Sequence, residues 1–266
     1  MPLIVNSFDQ FRRHWGGMHN FVMAGDCVPV GYELPPLERI VDEVRRDDGA
    51  HITRGYPEPF VRRPAEDIAD TFRRLPLDQA MATPFSMGHF GIDRFDKPGG
   101  LLHGFGEQVM RPWRLALEAH GFTLTDFFKP YFFISGPNCT TAYHMDLSHV
   151  LAWQRYGVKR FCSLKDPQGF AGQAVRRGQL EAGGSAFGIP IPGNLTPREI
   201  VEVTMAPGTV LWNVLQTPHW VLGGPDVSLS INISHRGMRL HGELCPHERQ
   251  LEQWKQAPAT AAEAAS

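Results

Sequence analysis

Two histidines and one aspartate have the residue types and the spacing that metal binding requires. His144 and Asp146 stand two positions apart in TTAYHMDLSHV, so on an extended strand both side chains leave the same face. His219 lies in the distant segment NVLQTPHWVLGG, on a strand that we expect to be their neighbour. Two imidazoles and one carboxylate on one face of an octahedron leave three positions open, which is typical of non-haem iron(II) oxygenases. The three residues are therefore predicted to be metal ligands and catalytic residues.

The elements that must position these residues change character near Gly121. Before it, helical patterns dominate: PPLERIVDEVRR has two prolines before its first turn and apolar residues at helical spacing, and PAEDIADTFRRL has early acidic and late basic residues. A third helix is expected from about 107 to 120. After Gly121, short runs rich in β-branched and aromatic residues are separated by Gly, Pro and Asn, at the spacing of a barrel or jelly roll.

The chain is predicted to have three regions. An N-terminal helical region over residues 1–120 packs on a β core over 121–240, and a C-terminal helix and tail follow over 241–266. Inside the core, 167–197 breaks the strand rhythm with glycines and with IPIPG. We interpret it as an insertion or lid, since long loops in compact domains are often functional. Its arginines are candidates for contacts with an anionic or polar substrate, or for a solvated surface: Arg176, Arg177 and Arg198.

The segment around the first two ligands resembles the JmjC and cupin-like oxygenases, including the asparagine hydroxylase that acts on hypoxia-inducible factor. HMDLSHVLAWQRYGVKRF is similar to their H-x-D … Q-x-x-G-x-K-R segment without any insertion, with Gln154, Gly157, Lys159 and Arg160 at the matching positions. Upstream, FISGPNCTTAYHMD resembles the strand that precedes the metal-binding His. Downstream, MAPGTVLWNVLQTPHWVLGGPDVSLSINIS resembles the run through the distal His to a closing Ser-x-x-x-Asn strand. The similarity spans roughly residues 131–234.

This resemblance implies both a fold and an activity. The fold would be mainly β with α-helices: a double-stranded β-helix (jelly-roll, cupin-like) core preceded by the N-terminal helical region. The activity would need Fe(II), 2-oxoglutarate as co-substrate and O₂. It would hydroxylate an amino acid, a peptide or protein side chain or a small biosynthetic intermediate, with release of succinate and CO₂.

The resemblance also implies how the co-substrate binds. Lys159 would anchor the distal carboxylate of 2-oxoglutarate, Thr141 would give it a hydroxyl hydrogen bond, and Asn232 would lie beside the co-substrate. By strand alternation only one of Lys159 and Arg160 can face inward, and we favour Lys159. Val150 stands where the hydroxylases often have an Asn, so the orientation of the co-substrate does not transfer in detail.

Composition limits the partners and the compartment. The formal net charge of −2 gives no reason to expect nucleic acid or an anionic membrane as partner. No apolar stretch approaches the ~20 residues that span a bilayer, and MPLIVNSFDQFRRHW reaches charged residues too early for a signal peptide. The four cysteines are scattered without a C-x-x-C pair. We therefore expect a cytoplasmic protein with free thiols that binds a small-molecule or peptide substrate, with HERQLEQWKQ as a candidate helix for homodimerisation.

A rival metal site and two other functions stay open. HGELCPHE holds His241, Cys245 and His247, whose spacing suits zinc or iron. His149 lies five positions from the first ligand and is expected on the other strand face or at the surface. The other functions are a cupin-type metalloenzyme that does not use 2-oxoglutarate and a non-catalytic cupin-like binding or regulatory protein. Lys159 argues against both, because neither needs an anchor for a carboxylate.

Overall fold

The structure of the protein is a computed structural model that describes residues 2–27, 31–61, 64–125, 127–181, 189–193 and 195–256. The first part of the chain mixes helices and short strands, in the order β1 (Leu3–Val5), α1 (Phe8–His14), β2 (Phe21–Met23), α2 (Leu37–Arg46), β3 (Ala50–Arg54), α3 (Ala69–Arg74), α4 (Leu77–Ala82), β4 (Phe85–His89), α5 (Arg111–Ala119) and β5 (Phe122–Thr123). The second part is mostly strands, in the order β6 (Phe128–Ser135), β7 (His149–Tyr156), β8 (Lys159–Leu164), α6 (Pro167–Phe170), α7 (Gln173–Glu181), β9 (Ile200–Met205), β10 (Val210–Asn213), β11 (His219–Gly223), β12 (Ser228–His235), β13 (Arg239–Leu240), β14 (Glu243–Leu244) and α8 (Pro246–Gln256).

The helices begin and end where local chemistry dictates. α2 starts after Pro36 and buries Ile40, Val41 and Val44 on one face, as the apolar spacing predicts. α5 continues from a π-helical turn over Gly106–Met110 and stops before Gly121. That glycine has φ +85°, a left-handed conformation that favours glycine over residues with a Cβ.

The strands form a mixed helix–sheet fold with large antiparallel sheets. Over the described residues, the large sheet has the order β1-β2-β10-β7-β12-β6-β4-β3, a small sheet has the order β11-β8-β9, and β14-β13-β5 form a third sheet. From β7 onward the chain passes between the large and the small sheet: β7, β10 and β12 lie in the former, and β8, β9 and β11 in the latter. Both sheets line one cavity, which places the inward side chains of β8 and β11 opposite those of β7, β10 and β12.

The residues before β7 add a further edge to the small sheet. The backbone N–H of His144 donates to the carbonyl of His219 at 2.9 Å, and the reverse bond measures 2.8 Å. Thr141 donates its N–H to the carbonyl of Val221 at 2.9 Å. The chain over 139–144 therefore runs along β11, and this pairing brings the first ligand of the predicted metal site next to the distal histidine.

The other face of the large sheet carries the main apolar core. Trp153 and Trp212 from the sheet are buried there with Trp113 from α5 and Phe11 from α1. Phe11 and Trp212 meet edge to face with centroids 4.9 Å apart, an arrangement that aromatic pairs favour. The helices thus cover the outer face of this sheet, while its inner face is left to the cavity. No helix in the described part of the chain is long and apolar enough to cross a membrane.

The N-terminal region contributes more than helices. The strands β1, β2, β3 and β4 extend the large sheet on both sides, although helical periodicity was the only pattern that the sequence showed there. Each of the four spans only three to five residues, which is too short for strand alternation to be recognised. The helices α2, α3 and α5 lie where the sequence predicts helices. The division at residues 120 and 240 stays a prediction.

The segment over 167–197 differs from the predicted loop. It contains α6 and α7, and the side-chain amide of Gln179 donates to the carbonyl of Met145 at 2.7 Å. Arg176 is 4% exposed, and its Nε donates to the carbonyl of Ala171 at 2.9 Å. Among the described residues, none of this segment lines the cavity. Arg176 is therefore a packing residue rather than a lid residue, whereas residues 182–188 and 194 lie outside the described part.

Candidate metal centre

The structure brings His144, Asp146 and His219 together at the wall of the cavity. Nε2 of His144 lies 3.8 Å from Oδ1 of Asp146, and Nε2 of His219 lies 3.7 Å from Oδ2 of the same carboxylate. One ligand atom from each residue falls within 4.8 Å of the others. His144 forms an isolated antiparallel bridge with His219, and Asp146 follows two positions later in the segment that leads to β7. Two neighbouring segments are therefore enough to build the group.

Both histidines are held in the orientation that metal ligands need. Nδ1 of His144 lies 2.6 Å from the carbonyl of Ala142, and Nδ1 of His219 lies 2.9 Å from the carbonyl of Thr217. A carbonyl only accepts hydrogen bonds, so each Nδ1 carries the proton and each Nε2 keeps its lone pair for a metal. Burial, together with the nearby His144, lowers the pKa of His219 to about 4. The ring is therefore neutral at physiological pH, which is the state that binds metal ions.

Asn213, at the end of β10, completes this group, and sequence reasoning missed it. Its Nδ2 donates to Oδ2 of Asp146 at 2.7 Å and lies 3.4 Å from Nε2 of His219. The side chain is 2% exposed. No spacing rule marks an asparagine six positions before a ligand, so only the folded structure indicates the contact.

Lys159 lines the same cavity, whereas Arg160 points out and pairs with Glu202 at 3.2 Å, so only one of the two faces inward, as strand alternation predicts. The Lys159 side chain is 4% exposed, and its ammonium donates to the hydroxyl of Ser230 at 2.9 Å. Within the described residues it forms no ion pair with a carboxylate. Burial lowers the pKa of Lys159 to about 7. A buried ammonium that lacks a counter-ion is costly, and an anion bound beside it would offset that cost.

The other two predicted co-substrate residues line the cavity as well. The hydroxyl of Thr141 accepts a hydrogen bond from the N–H of Val221 at 2.8 Å, so its own proton remains available to a ligand. Asn232 is 8% exposed, and its Oδ1 has no hydrogen-bond partner among the described residues. Ser230 stands two positions before Asn232 and therefore on the same strand face. Ser230 was not among the predicted site residues, although the alternation of side chains along β12 could have indicated it.

The cavity has a volume of about 340 Å³, and its charged and neutral side chains are unevenly distributed. Its charged side chains, among the residues described, are the metal-binding group and Lys159. Aromatic and hydroxyl groups form most of the rest, and the N-terminal strands and the turn after β4 contribute Thr53, Ser86 and Phe90. The space therefore combines a metal-binding wall, a cationic wall and a neutral remainder, within the size range of small-molecule sites.

Comparison with known proteins identifies the fold. The sequence matches no model of a protein family and no curated protein at a significant level. Solved structures do match. One of them is Escherichia coli ycfD, with a TM-score of 0.54 and 15% identity, over 95% of this chain and 56% of that one. The chain therefore has the same fold as ycfD.

Two further matches to this oxygenase fold contain ligands. They are the E. coli ribosomal oxygenase YcfD in complex with cobalt and 2-oxoglutarate (TM-score 0.53, 12% identity, 89% of this chain and 53% of that one) and with cobalt and succinic acid (TM-score 0.55, 10% identity, 99% and 61%). The present chain thus spans a little over half the length of these relatives. At such identities the likeness establishes the fold and not the substrate.

Within this oxygenase fold, the rival metal site suggested by HGELCPHE is not assembled. Cys245 is buried beside His149 and Glu248 rather than beside His241, which is exposed. Nε2 of His149 lies 3.5 Å from Sγ of Cys245 and 4.0 Å from Oε2 of Glu248. His149 is fully buried against Trp212, on the side of β7 that faces away from the cavity. The predicted strand face is therefore the observed one, and only the alternative of a surface position is wrong.

A hydrogen bond argues that this second cluster is not a metal site. The N–H of Leu215 donates to Nδ1 of His149 at 3.2 Å, so the neutral ring carries its proton on Nε2, the atom that faces Cys245 and Glu248. Burial, with additional contributions from His235 and His247, lowers the pKa of His149 to about 3. A neutral ring with its proton on Nε2 donates a hydrogen bond and offers no lone pair to an ion there. None of the four cysteines, all of which are described, forms a disulfide.

Proposed function

We propose that the protein is an Fe(II)- and 2-oxoglutarate-dependent oxygenase that hydroxylates its substrate. The observation that carries the proposal is the presence, in one cavity, of a His–Asp–His group and a buried ammonium without a carboxylate partner. A metalloenzyme without an acidic co-substrate has no need for that ammonium, because burying it is costly. The fold of the YcfD structures, two of which hold cobalt with 2-oxoglutarate or succinic acid, supports the same conclusion.

We further infer that the two facing sheets form a double-stranded β-helix. The support is the passage of the chain between them from β7 to β12 and the pairing of 139–144 with β11. In such a core the first two ligands come from one strand end and the third from the adjacent strand. Asp146 and His219 are 73 positions apart in the sequence. The adjacency of these strands explains how both residues, together with His144, reach one ion without a dedicated loop.

The residues present fit iron(II). His144, Asp146 and His219 would hold it, with two neutral imidazoles that each present an unprotonated Nε2 and one carboxylate, a donor set that leaves positions open. Iron bound there supplies the activation of O₂ that is coupled to oxidative decarboxylation of 2-oxoglutarate to succinate and CO₂. The protein keeps the ligand rings in place: Phe161 stacks on His219 with an interplanar angle of 14° and centroids 5.0 Å apart.

Lys159 and Thr141 would bind the distal carboxylate of 2-oxoglutarate. The hydroxyl of Ser230 holds the ammonium in position, and a bound carboxylate favours its protonated form, which burial alone disfavours. The hydroxyl proton of Thr141 is available to the same carboxylate. The unpartnered Oδ1 of Asn232 accepts from a donor on a bound molecule or a water. All four residues are buried or half-buried, so the carboxylate would exchange water for direct hydrogen bonds.

The substrate class stays broad: an amino acid, a peptide or protein side chain, or a small biosynthetic intermediate. The relatives are ribosomal oxygenases by name, which favours a protein side chain. The neutral part of the cavity, formed by Thr53, Ser86 and Phe90, is the place for the group to be hydroxylated. A cytoplasmic location and a homodimer formed through α8 remain predictions.

The test is anaerobic addition of iron(II) and then 2-oxoglutarate to metal-free protein, followed by visible spectroscopy. We expect the weak charge-transfer band of an iron–keto acid chelate. Asp146→Ala should abolish it, and Lys159→Ala should shift it to higher 2-oxoglutarate concentrations. Arg160→Ala, the outward neighbour, is the matched control and should behave like the wild type. Iron binding without a band would favour a cupin metalloenzyme that does not use 2-oxoglutarate, and no metal binding would refute the site.

A further inference from the structure

Asn213 contacts the Asp146 carboxylate although it is not itself one of the three proposed metal ligands. We propose that Asn213 is a positioning residue that holds the Asp146 carboxylate in a monodentate binding mode; this rests on the metal site of the proposed function. Nδ2 of Asn213 lies 2.7 Å from Oδ2 of Asp146. This is the length of a strong hydrogen bond to a charged acceptor.

A carboxylate offers two oxygens to a metal ion. Either one or both can bind a metal ion, and binding through both fills a position that the co-substrate or O₂ needs. The Asn213 amide engages Oδ2, so Oδ1 of Asp146 is the oxygen that remains free of protein donors. The amide orientation is fixed, because the flipped amide would bring its oxygen against a negatively charged oxygen. Asn213 therefore acts on the metal through Asp146 and not by direct coordination.

The other end of the amide supports this role. Oδ1 of Asn213 is buried and has no hydrogen-bond partner among the described residues, although the side chain lines the cavity. Buried amide oxygens normally accept a hydrogen bond. A water or other donor held beside the metal would satisfy this one. An asparagine with a purely structural role in β10 would direct its oxygen to the backbone instead.

Such a structural asparagine exists nearby and serves as the matched control. Asn20 is 7% exposed, and its Oδ1 accepts the N–H of Val214 at 2.7 Å. It supports the end of the same strand, one residue after Asn213, without contacting a ligand of the site. Loss of Asn20 should therefore lower the stability of this strand end and leave the metal site unchanged.

The experiment is a titration of metal-free protein with Co(II), read by affinity and by the visible d–d spectrum, without 2-oxoglutarate or turnover. Asn213→Leu, which keeps the branched side-chain skeleton and removes the amide, should weaken Co(II) binding about 10- to 100-fold and change the intensity of the d–d band, since that intensity follows coordination number. Asn20→Ala should change neither. Asn213→Ala provides the same test if the leucine variant does not fold.

The outcomes separate this inference from the proposed function. Wild-type affinity and an unchanged spectrum in a folded Asn213 variant would overturn the positioning role and leave the metal site in place. The same loss of affinity in Asn20→Ala would also overturn it, because the effect would then belong to the strand and not to the amide. Failure of the wild-type protein to bind Co(II), or binding that survives in His144→Ala, would overturn the site itself.

Discussion

Lys159→Met should stabilise the metal-free protein while it abolishes the response to 2-oxoglutarate. Burial lowers the pKa of this lysine from its ordinary 10.5 to about 7. At ~1.4 kcal/mol per pKa unit, the buried ammonium costs the folded protein roughly 5 kcal/mol below pH 7. The unfolded chain binds the extra proton between pH 7 and 10.5, so this cost declines as the pH rises through that window. Methionine has a similar length and no charge, and therefore removes the cost.

The expected gain is smaller than the full cost. The hydroxyl of Ser230 loses its partner, and a buried unsatisfied hydroxyl costs about 1–3 kcal/mol. A net gain of about 2–4 kcal/mol remains, which corresponds to a rise in Tm of roughly 5–10 °C for a protein of this size. The gain should be largest near pH 6.5, and near pH 10.5 the variant should instead be less stable than the wild type by about 1–3 kcal/mol, because only the loss of the hydrogen bond to Ser230 then remains.

The assay is thermal and denaturant unfolding of the wild type, Lys159→Met and Arg160→Met at both pH values, first without metal and then with Co(II), with or without 2-oxoglutarate. 2-Oxoglutarate should raise the Tm of the wild type and of Arg160→Met, whereas Lys159→Met should not respond. A Lys159→Met protein that is less stable than the wild type at pH 6.5 would refute the reasoning, because the ammonium would then be satisfied without an anion.

Three further changes test other parts of the structure. Arg176→Ala should lower the Tm, since it removes a buried hydrogen bond worth about 1–3 kcal/mol, and should leave kcat/KM unchanged; a loss of kcat/KM without a loss of Tm would restore its role in a lid. Phe161→Ala should weaken Co(II) binding measured by titration, because the His219 ring loses its stacking partner; unchanged affinity would contradict this. Burial lowers the pKa values of His149 and His235 to about 3, so the unfolded chain binds more protons between pH 3 and 6.5. The free energy of unfolding should fall by about 3 kcal/mol per pH unit as the pH drops through that window, and a slope less than half of this in denaturant titrations would contradict it.

What the sequence predicted well depends on local periodicity. Strand alternation predicts that His144 and Asp146 share one face and that only one of Lys159 and Arg160 faces inward, and this needs no tertiary information. The choice of Lys159 followed the resemblance to known oxygenases. The β-rich second half is equally local, because its strands are up to eight residues long and carry apolar side chains in runs. The fold and the arrangement of the metal-binding group were accessible for this reason.

What the sequence left out depends on long-range contacts. Asn213 and Glu248 are ordinary polar residues until β10 and α8 bring them against Asp146 and His149, respectively. The strands before Gly121 are too short to show alternation, and they exist because the large sheet offers them partners along its edges. The helix α7 was interpreted as part of a loop because 167–197 is rich in glycine and contains IPIPG, yet the hydrogen bond from the buried Gln179 to the carbonyl of Met145 holds it in place.

The cavity is lined both by the segment that resembles known oxygenases and by N-terminal residues that show no such resemblance. Its metal-binding and cationic walls come from the segment 131–234, which resembles known oxygenases, so they carry the chemistry that such enzymes share. Its neutral wall includes Thr53, Ser86 and Phe90, from strands and a turn for which the sequence showed no family motif. Phe90 is 61% exposed and stacks on Tyr131 with centroids 5.1 Å apart. If the proposed function holds, we expect the N-terminal region to set substrate choice, so exchanging that region between relatives should change the substrate while retaining binding of the metal and of 2-oxoglutarate.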